Sequence, residues 1–244
     1  MNKKKFISKI DPRFLYGVAH RGLHNEKFTE NGMKAFQNAI DHDVAFEFDI
    51  HLTKDNQLVV CHDENLKRTT GKEGIIEDLT LEEIKSGYHL VDGGEVPTLQ
   101  ELLDLNNERV PMVIELKVFR KNYKPLAKKV IEVLKQIKDK SKVMIISFDP
   151  RSLWPFAHKG FLRSLLVAKS DEYTWPFRIT VESLDMEQVF FSEKRVQRYA
   201  KKHFINVWTI EKEEQLEAVL PYVDTVTYQY LDPELVKNKL TNAR

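Results

Sequence analysis

Apolar residues along this chain come in short β-branched runs, and between the runs they switch to the three- and four-residue spacing of amphipathic helices. Strands are expected at 15–20, 45–51, 57–62, 112–117, 142–148, 163–168, 187–191, 204–209 and 223–228. Helical spacing groups Met33, Phe36 and Ile40 on one face and Leu126, Val130, Leu134 and Ile137 on another. Further helices are expected at 80–86, 98–106, 193–203 and 212–220, the second opening at Thr98 with Glu101 at capping-box spacing.

Strand–helix alternation predicts parallel strands joined by crossovers. Runs 45–51 and 57–62 break the rule, because Leu52 to Asn56 are too few residues for a parallel crossover. They form an antiparallel hairpin that turns at Asp55-Asn56. Without the hairpin arm eight strands remain, the number a closed (β/α)8 barrel requires. The 244 residues suit one such domain, with a long insertion after the second strand at about 63–111.

Composition narrows the function. With 42% hydrophobic and 31% charged residues the chain can bury a large core beneath a solvated surface. Lys and Arg number 38 against 37 Asp and Glu, so a nucleic-acid partner held by global charge is excluded. Lys121, Lys124, Lys128, Lys129 and Lys135 read as the solvated face of one helix. The single cysteine, Cys61, forbids an intramolecular disulfide, suits a reducing compartment and is expected to pack. No window reaches the roughly 18 apolar residues of a membrane span, so no stable membrane insertion is expected. The basic N-terminus lacks a signal-peptide core because Lys9, Asp11 and Arg13 interrupt it. A cytoplasmic protein with a frayed basic tail is the expectation.

Chemistry concentrates at strand ends. In 45–51, Phe46, Phe48 and Ile50 alternate with Glu47, Asp49 and His51, so the aromatic set packs outward and both acids point into the barrel. Two carboxylates about 4 Å apart repel by about 4 kcal/mol at an effective dielectric of ~20, and a cation, a shared proton or a basic partner must offset this. Strand 112–117 repeats the pattern with Glu115 and Lys117 on one face. Glu47, Asp49 and Glu115 form an all-oxygen set suited to Mg²⁺ or Ca²⁺, and Lys117 adds a cation for an anionic group. His20 and Arg21 end the first strand, and the hairpin returns His62 towards the acids, so the two histidines can act as acid and base. Asn31 either caps the following helix or binds a substrate oxygen at its positive end. His24, His42, His89, His158 and His203 read as surface or helix-end residues.

The motifs HRG at 20–22, EN at 30–31, EFDIHLTKDNQLVVCHDENLKRTTG at 47–71, VPTLQELL at 96–103, IELK at 114–117 and SF at 147–148 resemble the glycerophosphodiester phosphodiesterases. The resemblance is dense over 19–148 and thinner beyond. It implies a TIM barrel with an insertion after its second strand, and hydrolysis of glycerophosphodiesters to an alcohol and sn-glycerol 3-phosphate with Ca²⁺ or Mg²⁺. On this chain His20 and His62 match the acid–base pair, Arg21 and Lys117 the phosphate-binding cations, and Glu47, Asp49 and Glu115 the metal carboxylates. Asn31 and Trp208 join Arg21 and Lys117 as substrate-binding residues.

Four departures accompany it: Thr29-Glu30-Asn31-Gly32 where Pro-Glu-Asn-Thr is usual, Asp55-Asn56 for Asp-Gly, Glu211 for Asn, and Thr227-Tyr228-Gln229-Tyr230 for Thr-Asp-x-Pro. The last two lie at the rim of late strands, where loops shape specificity. The alternatives are cleavage of lysophospholipids or another phosphodiester on the same scaffold, and a non-catalytic ligand-binding barrel. A lipid substrate needs an apolar rim, which Tyr173, Trp175, Phe177, Phe190 and Phe191 could provide.

Overall fold

The computed structural model describes residues 1–170 and 172–244 in full. Nine strands run in chain order: β1 (Val18–Ala19), β2 (Ala45–Leu52), β3 (Leu58–Val60), β4 (Met112–Leu116), β5 (Val143–Ser147), β6 (Leu162–Val167), β7 (Ser183–Glu187), β8 (Ile205–Ile210) and β9 (Thr225–Tyr228). Their order is β1-β9-β8-β7-β6-β5-β4-β2-β3, and a β1–β2 pairing closes the ring. Every pairing is parallel except β2–β3, where His51 faces Val59. The result is the closed eight-stranded barrel expected, with the hairpin arm outside it.

Alternation along each strand builds two cores. Phe46, Phe48, Ile50, Ile114 and Leu116 point outward and pack under the helices with Phe36, Leu126, Val130 and Leu134. Inside the barrel, Ala45, Val113, Met144, Ile146, Leu162 and Leu166 meet Phe6, Ile10 and Phe14. The N-terminus is therefore no frayed tail. Its helix Lys3–Ile7 drives Phe6 into the barrel floor, where the ring stacks on Phe204 at 4.4 Å. Burying such a side chain contributes about 1.5–3 kcal/mol, enough to outweigh the fraying that a basic segment invites.

Two strands lie elsewhere than their pattern suggested. The first shrinks to Val18–Ala19 because Pro12–Tyr16 coils into a 3-10 turn that sends Phe14 inward. The seventh is Ser183–Glu187 and not 187–191. Val189-Phe190-Phe191 has strand-like composition, but it forms a 3-10 turn whose Phe190 and Phe191 sit in the outer core. The true strand carries Ser183 and Asp185 on its inner face, and that polarity hid it.

The insertion has its own small core of Val59, Cys61, Leu66, Ile76, Ile84, Tyr88, Leu90 and Val96. Burial pushes the Cys61 thiol up to about 12, so it packs and does not ionise. Helix Leu99–Asn106 has the expected capping box between Thr98 and Glu101. Its Leu99, Leu102 and Leu103 belong to the barrel's outer core, which makes it the β2–β4 crossover helix and ends the insertion proper before Thr98.

Gly22, just past β1, has φ +79°, and a Cβ there would meet the Ala35 backbone and Phe36 Cδ1 at 3.0 Å. Gly22→Ala should therefore lower stability by about 1–3 kcal/mol. For a chain of this size that is a fall of about 2–4 °C per kcal/mol, read by thermal melting; an unchanged Tm would refute the argument.

Candidate active site

The C-terminal ends of β1, β2 and β4 converge on one acidic centre. Glu47 and Asp49 alternate inward on β2, and the parallel register sets Asp49 beside Glu115 on β4. Ligand atoms of Glu47, Asp49 and Glu115 lie within 4.8 Å of one another, and all three residues are buried. Two cations answer them. Lys117 Nζ lies 2.9 Å from Glu115 Oε1 and 3.5 Å from Asp49 Oδ1, and Arg21 Nε lies 3.6 Å from Asp49 Oδ2.

Three acids against two cations leave the centre short of positive charge, and the acids do not share the deficit equally. Burial, with the Asp49 and Glu115 charges, pushes Glu47 well above the usual carboxylate range. Glu115 is raised by burial and by Asp49 against the opposing pull of Lys117. Asp49 is equally buried, yet Lys117, His62, Arg21 and the Asn31 amide hold it below the usual range. Glu47 Oε1 and Asp49 Oδ1 are buried with no hydrogen-bond partner. Unsatisfied hard oxygens around a charge deficit fit a divalent ion held by Glu47, Asp49 and Glu115.

Backbone geometry sets the cations in place. Arg21 has φ +53° and its N–H donates to Glu47 Oε2 at 3.0 Å, while Gly22 N–H donates to the Glu47 carbonyl at 3.1 Å. The first β–α loop is thus stitched to the inner face of β2. Arg21 Nη1 also donates to Glu30 at 2.7 Å, and Arg68 from the insertion clamps Glu30 and Asp63 at 2.6–2.8 Å. Burial tends to raise Glu30, but Arg68 and Arg21 overcome it and bring the carboxyl down to about 2. Asn31 is not the helix cap, a position taken by Gly32. Its own φ of +56° turns the amide inward, where Nδ2 donates to Asp49 Oδ2 at 2.8 Å.

The histidines flank the acids. The His20 N–H donates to the Tyr228 carbonyl at 2.8 Å, and Nδ1 faces Gln229 Oε1 at 2.8 Å. Gln229 Nε2 in turn donates to Glu211 Oε1 at 2.6 Å, which fixes the amide with its oxygen towards His20. His20 Nδ1 therefore carries the proton and Nε2 offers a lone pair. Burial first, then the Arg21 charge, lower His20 to about 4 against the upward pull of Gln229. His62 follows β3, whose return is fixed by the Cys61 N–H donating to the Asp49 carbonyl at 3.1 Å. Its Nδ1 lies 2.6 Å from Asp63 Oδ1. His51, between Glu77 at 2.7 Å and the His62 carbonyl at 3.2 Å, pins this turn.

Gln229, Glu211, Asp63 and Arg68 also belong to the site, and no pattern in the sequence alone marks them. Two of them occupy the positions where the chain departs from the resembling family, which is the signal that could have found them. His24 is no isolated surface residue: it is half-buried, with Nε2 3.3 Å from Gln229 Oε1 and its ring edge-on to Tyr230.

Two cavities open from this centre. A narrow one of about 120 Å³ runs into the barrel and is lined by His20, Arg21, Glu47, His62, Glu115 and Trp208, among others. A wide one of about 600 Å³ runs outward past His62, Glu115 and Lys117 to Phe148, Trp154, Tyr173 and Phe177. Trp208 stands in the narrow cavity, edge-on to Phe148 at 5.6 Å. Of the five aromatic residues considered for a lipid rim, Tyr173 and Phe177 are exposed in the wide groove. Trp175 is partly buried elsewhere, and Phe190 and Phe191 are in the core. Among the described residues no helix is long and apolar enough to cross a membrane.

Residues 20–237 match the model of the glycerophosphoryl diester phosphodiesterase family. The chain is similar to a glycerophosphodiester phosphodiesterase of Caldanaerobacter subterraneus, 30% identical over 91% of this chain and 96% of that protein. It is similar to the human lysophospholipase D GDPD1, 35% identical over 55% of this chain and 43% of that protein. The crystal structure of a glycerophosphodiester phosphodiesterase from Parabacteroides distasonis superposes with a TM-score of 0.76, at 25% identity, covering 92% of this chain and 96% of that one.

Proposed function

The chain belongs to the glycerophosphoryl diester phosphodiesterase family, and from that membership we propose that it hydrolyses glycerophosphodiesters to an alcohol and sn-glycerol 3-phosphate by two-histidine acid–base catalysis. The observation that carries the reading is the convergence of His20, His62, Arg21 and Lys117 on the buried triad Glu47, Asp49 and Glu115. Glu47, Asp49 and Glu115 would hold a divalent ion, which when bound would supply Lewis acidity at a phosphoryl oxygen. Arg21 and Lys117 bind the remaining phosphoryl charge.

The surroundings support one division of the histidine roles. His20 lines the narrow cavity alone, and it is neutral with Nε2 free, as a general base must be. His62 lines both cavities, so it can deliver a proton to an alcohol leaving through the wide groove. Its Nδ1 pairs with the Asp63 carboxylate at 2.6 Å, which orients the ring for that transfer. Lysophospholipid cleavage is the second reading, favoured by the apolar wall of Trp154, Tyr173 and Phe177 along the exit groove.

A coupled assay for glycerol 3-phosphate on several glycerophosphodiesters, with chelator or with Ca²⁺ or Mg²⁺, tests the reaction. Release that depends on the added ion is expected, and no release from any substrate would reject it. Ion binding should raise the Tm by mass action, by about 2.7 kcal/mol of stability at 100 times the Kd. Glu115→Gln should remove most of that rise, and because Glu47 must lose a proton to ligate, the affinity should weaken as the pH falls. An undiminished rise in the variant would take Glu115 out of the ligand set.

His20→Ala and His62→Ala should each cut turnover by about 10²–10⁴-fold on a natural alkyl leaving group. With a p-nitrophenyl leaving group, which needs no proton, His62→Ala should recover most of its loss and His20→Ala should not. Equal recovery in both variants would undo the division of roles. The base acts only when neutral, so the acid limb of kcat/KM should lie near pH 4 and not at the ordinary histidine value of 6.5. A limb at 6.5 would remove His20 as the base.

A further inference from the structure

Away from the catalytic centre, a positive surface lies along helix Lys194–Ala200. An open hollow of about 540 Å³ follows the helix from Arg195 near its start to Lys202 just past its end. Three of its lining residues are the rings Trp175, Tyr199 and His203, and every other one is a cation: Arg178, Arg195, Arg198, Lys201 and Lys202. A second hollow of about 410 Å³ continues from Arg178, Tyr199 and His203 to Met1 and Ile179. At 82%, Ile179 is the most exposed large apolar side chain among the described residues. The start of the chain adjoins this face, because the Lys3 N–H donates to the Lys202 carbonyl at 2.9 Å, and Lys4 and Lys5 are exposed on the same helix as Lys3.

The charges of this face are largely unanswered. Arg195 pairs with Glu172 and Glu193, and Lys3 with Asp224. Arg178 and Arg198 donate only to backbone carbonyls, those of Trp175 and Lys194. No acid lines either hollow. In a chain of net charge +1 such segregation makes a local field that attracts an anionic partner. The rings narrow the choice of partner. Trp175 already carries the Arg178 and Arg195 guanidiniums over its ring, at 5.0 and 5.4 Å from the centroid. Tyr199 stacks on His203 at 3.8 Å and meets Trp175 edge-on. These rings hold cations in place and are spent on this chain, whereas a single-stranded nucleic acid is gripped by rings presented to its bases. A bilayer asks for cations spread over a face with an exposed aliphatic residue among them, which is the composition found here.

We propose that the face formed by Arg178, Ile179, Arg198, Lys201 and Lys202, flanked by Lys4 and Lys5, docks the protein reversibly on a bilayer that carries anionic phospholipid. The inference goes beyond the phosphodiesterase reading and does not depend on it. The two are joined by the segment Lys169–Thr180, which walls the hollow with Trp175 and Arg178 and the wide groove with Tyr173 and Phe177. No residue of the catalytic centre lines either hollow, so the docked protein keeps its site clear and sets the apolar wall of the groove beside the lipid.

The test is sedimentation of the full chain with vesicles of phosphatidylcholine alone and of phosphatidylcholine with phosphatidylglycerol in equal parts, at about 0.1 M salt. Binding to the anionic vesicles alone is expected, and it should be lost by about 0.5 M salt. Each cation near such a surface is worth about fivefold in affinity. Arg198→Gln, Lys201→Gln and Lys202→Gln together should therefore weaken binding by about a hundredfold, and Ile179→Ser should weaken it by a few-fold. The same loss of charge on the other exposed lysine row, by Lys124→Gln, Lys128→Gln and Lys135→Gln, should leave binding nearly intact. An unchanged Tm shows that these surface substitutions leave the fold in place. No binding by the intact protein, equal binding to neutral vesicles, binding kept by the first triple variant, or equal loss from both triple variants would each overturn the proposal. Tighter binding to a single-stranded oligonucleotide than to the vesicles would assign the face to nucleic acid and overturn it too. The vesicles contain no substrate, so their binding and the release of glycerol 3-phosphate can each fail without the other.

Discussion

Three carboxylates buried within 4.8 Å of one another are the constraint from which the rest of this molecule follows. At effective dielectrics suited to protein sites, each such repulsion is worth about 4 kcal/mol at 4 Å. That is comparable with the whole net stability of many domains. The fold tolerates it because the acids are carried by the central, doubly covered strands β2 and β4, and because every neighbouring element contributes a counterweight. The loop after β1 brings Arg21, the end of β4 brings Lys117, and the turn before the first crossover helix brings the Asn31 amide. What remains unbalanced appears as the raised Glu47 and as orphaned oxygens, an arrangement that could hold a metal ion.

The insertion takes its meaning from the same constraint. Arg68 does not reach the acids, yet it clamps Glu30, which steadies Arg21, and Asp63, which steadies His62. One guanidinium thus ties the position of Arg21 to that of His62, more than forty positions away in sequence. The small core under it, with Leu66, Ile76 and Tyr88, gives the clamp a rigid base.

Legibility in the sequence tracked how far a position's role depends on alternation alone. The two-residue period of β2 and β4 was enough to put Glu47, Asp49 and Glu115 on one face, and the five-residue gap at Leu52–Asn56 was enough to make β3 a hairpin arm. Where a strand's inner face is polar the period carries a misleading signal, so Ser183–Glu187 looks less like a strand than the more apolar Val189-Phe190-Phe191. The same polarity hides Asp185. Gln229 and Glu211 were visible as departures from a familiar pattern, but their pairing depends on the β8–β9 contact at the rim and no local rule reports that. Asn31 looked like a cap because Asn before a helix usually is one, and only its left-handed backbone sends the amide to Asp49.

The two departures also bear on the form in which His20 is held beside an arginine. Burial and the Arg21 charge both disfavour the imidazolium of His20, and that protects the neutral form. Neutrality alone does not make a base, since the wrong tautomer presents N–H to the substrate. Glu211 accepts from the Gln229 amide nitrogen, so the amide oxygen must face His20 Nδ1, and the lone pair is left on Nε2. A neutral amide does this without the charge that a carboxylate partner, such as Asp63 at His62, brings. The pair is asymmetric, with an amide behind the His20 ring and a carboxylate behind the His62 ring, and that asymmetry is set by the rim of the late strands on one side and by the insertion on the other.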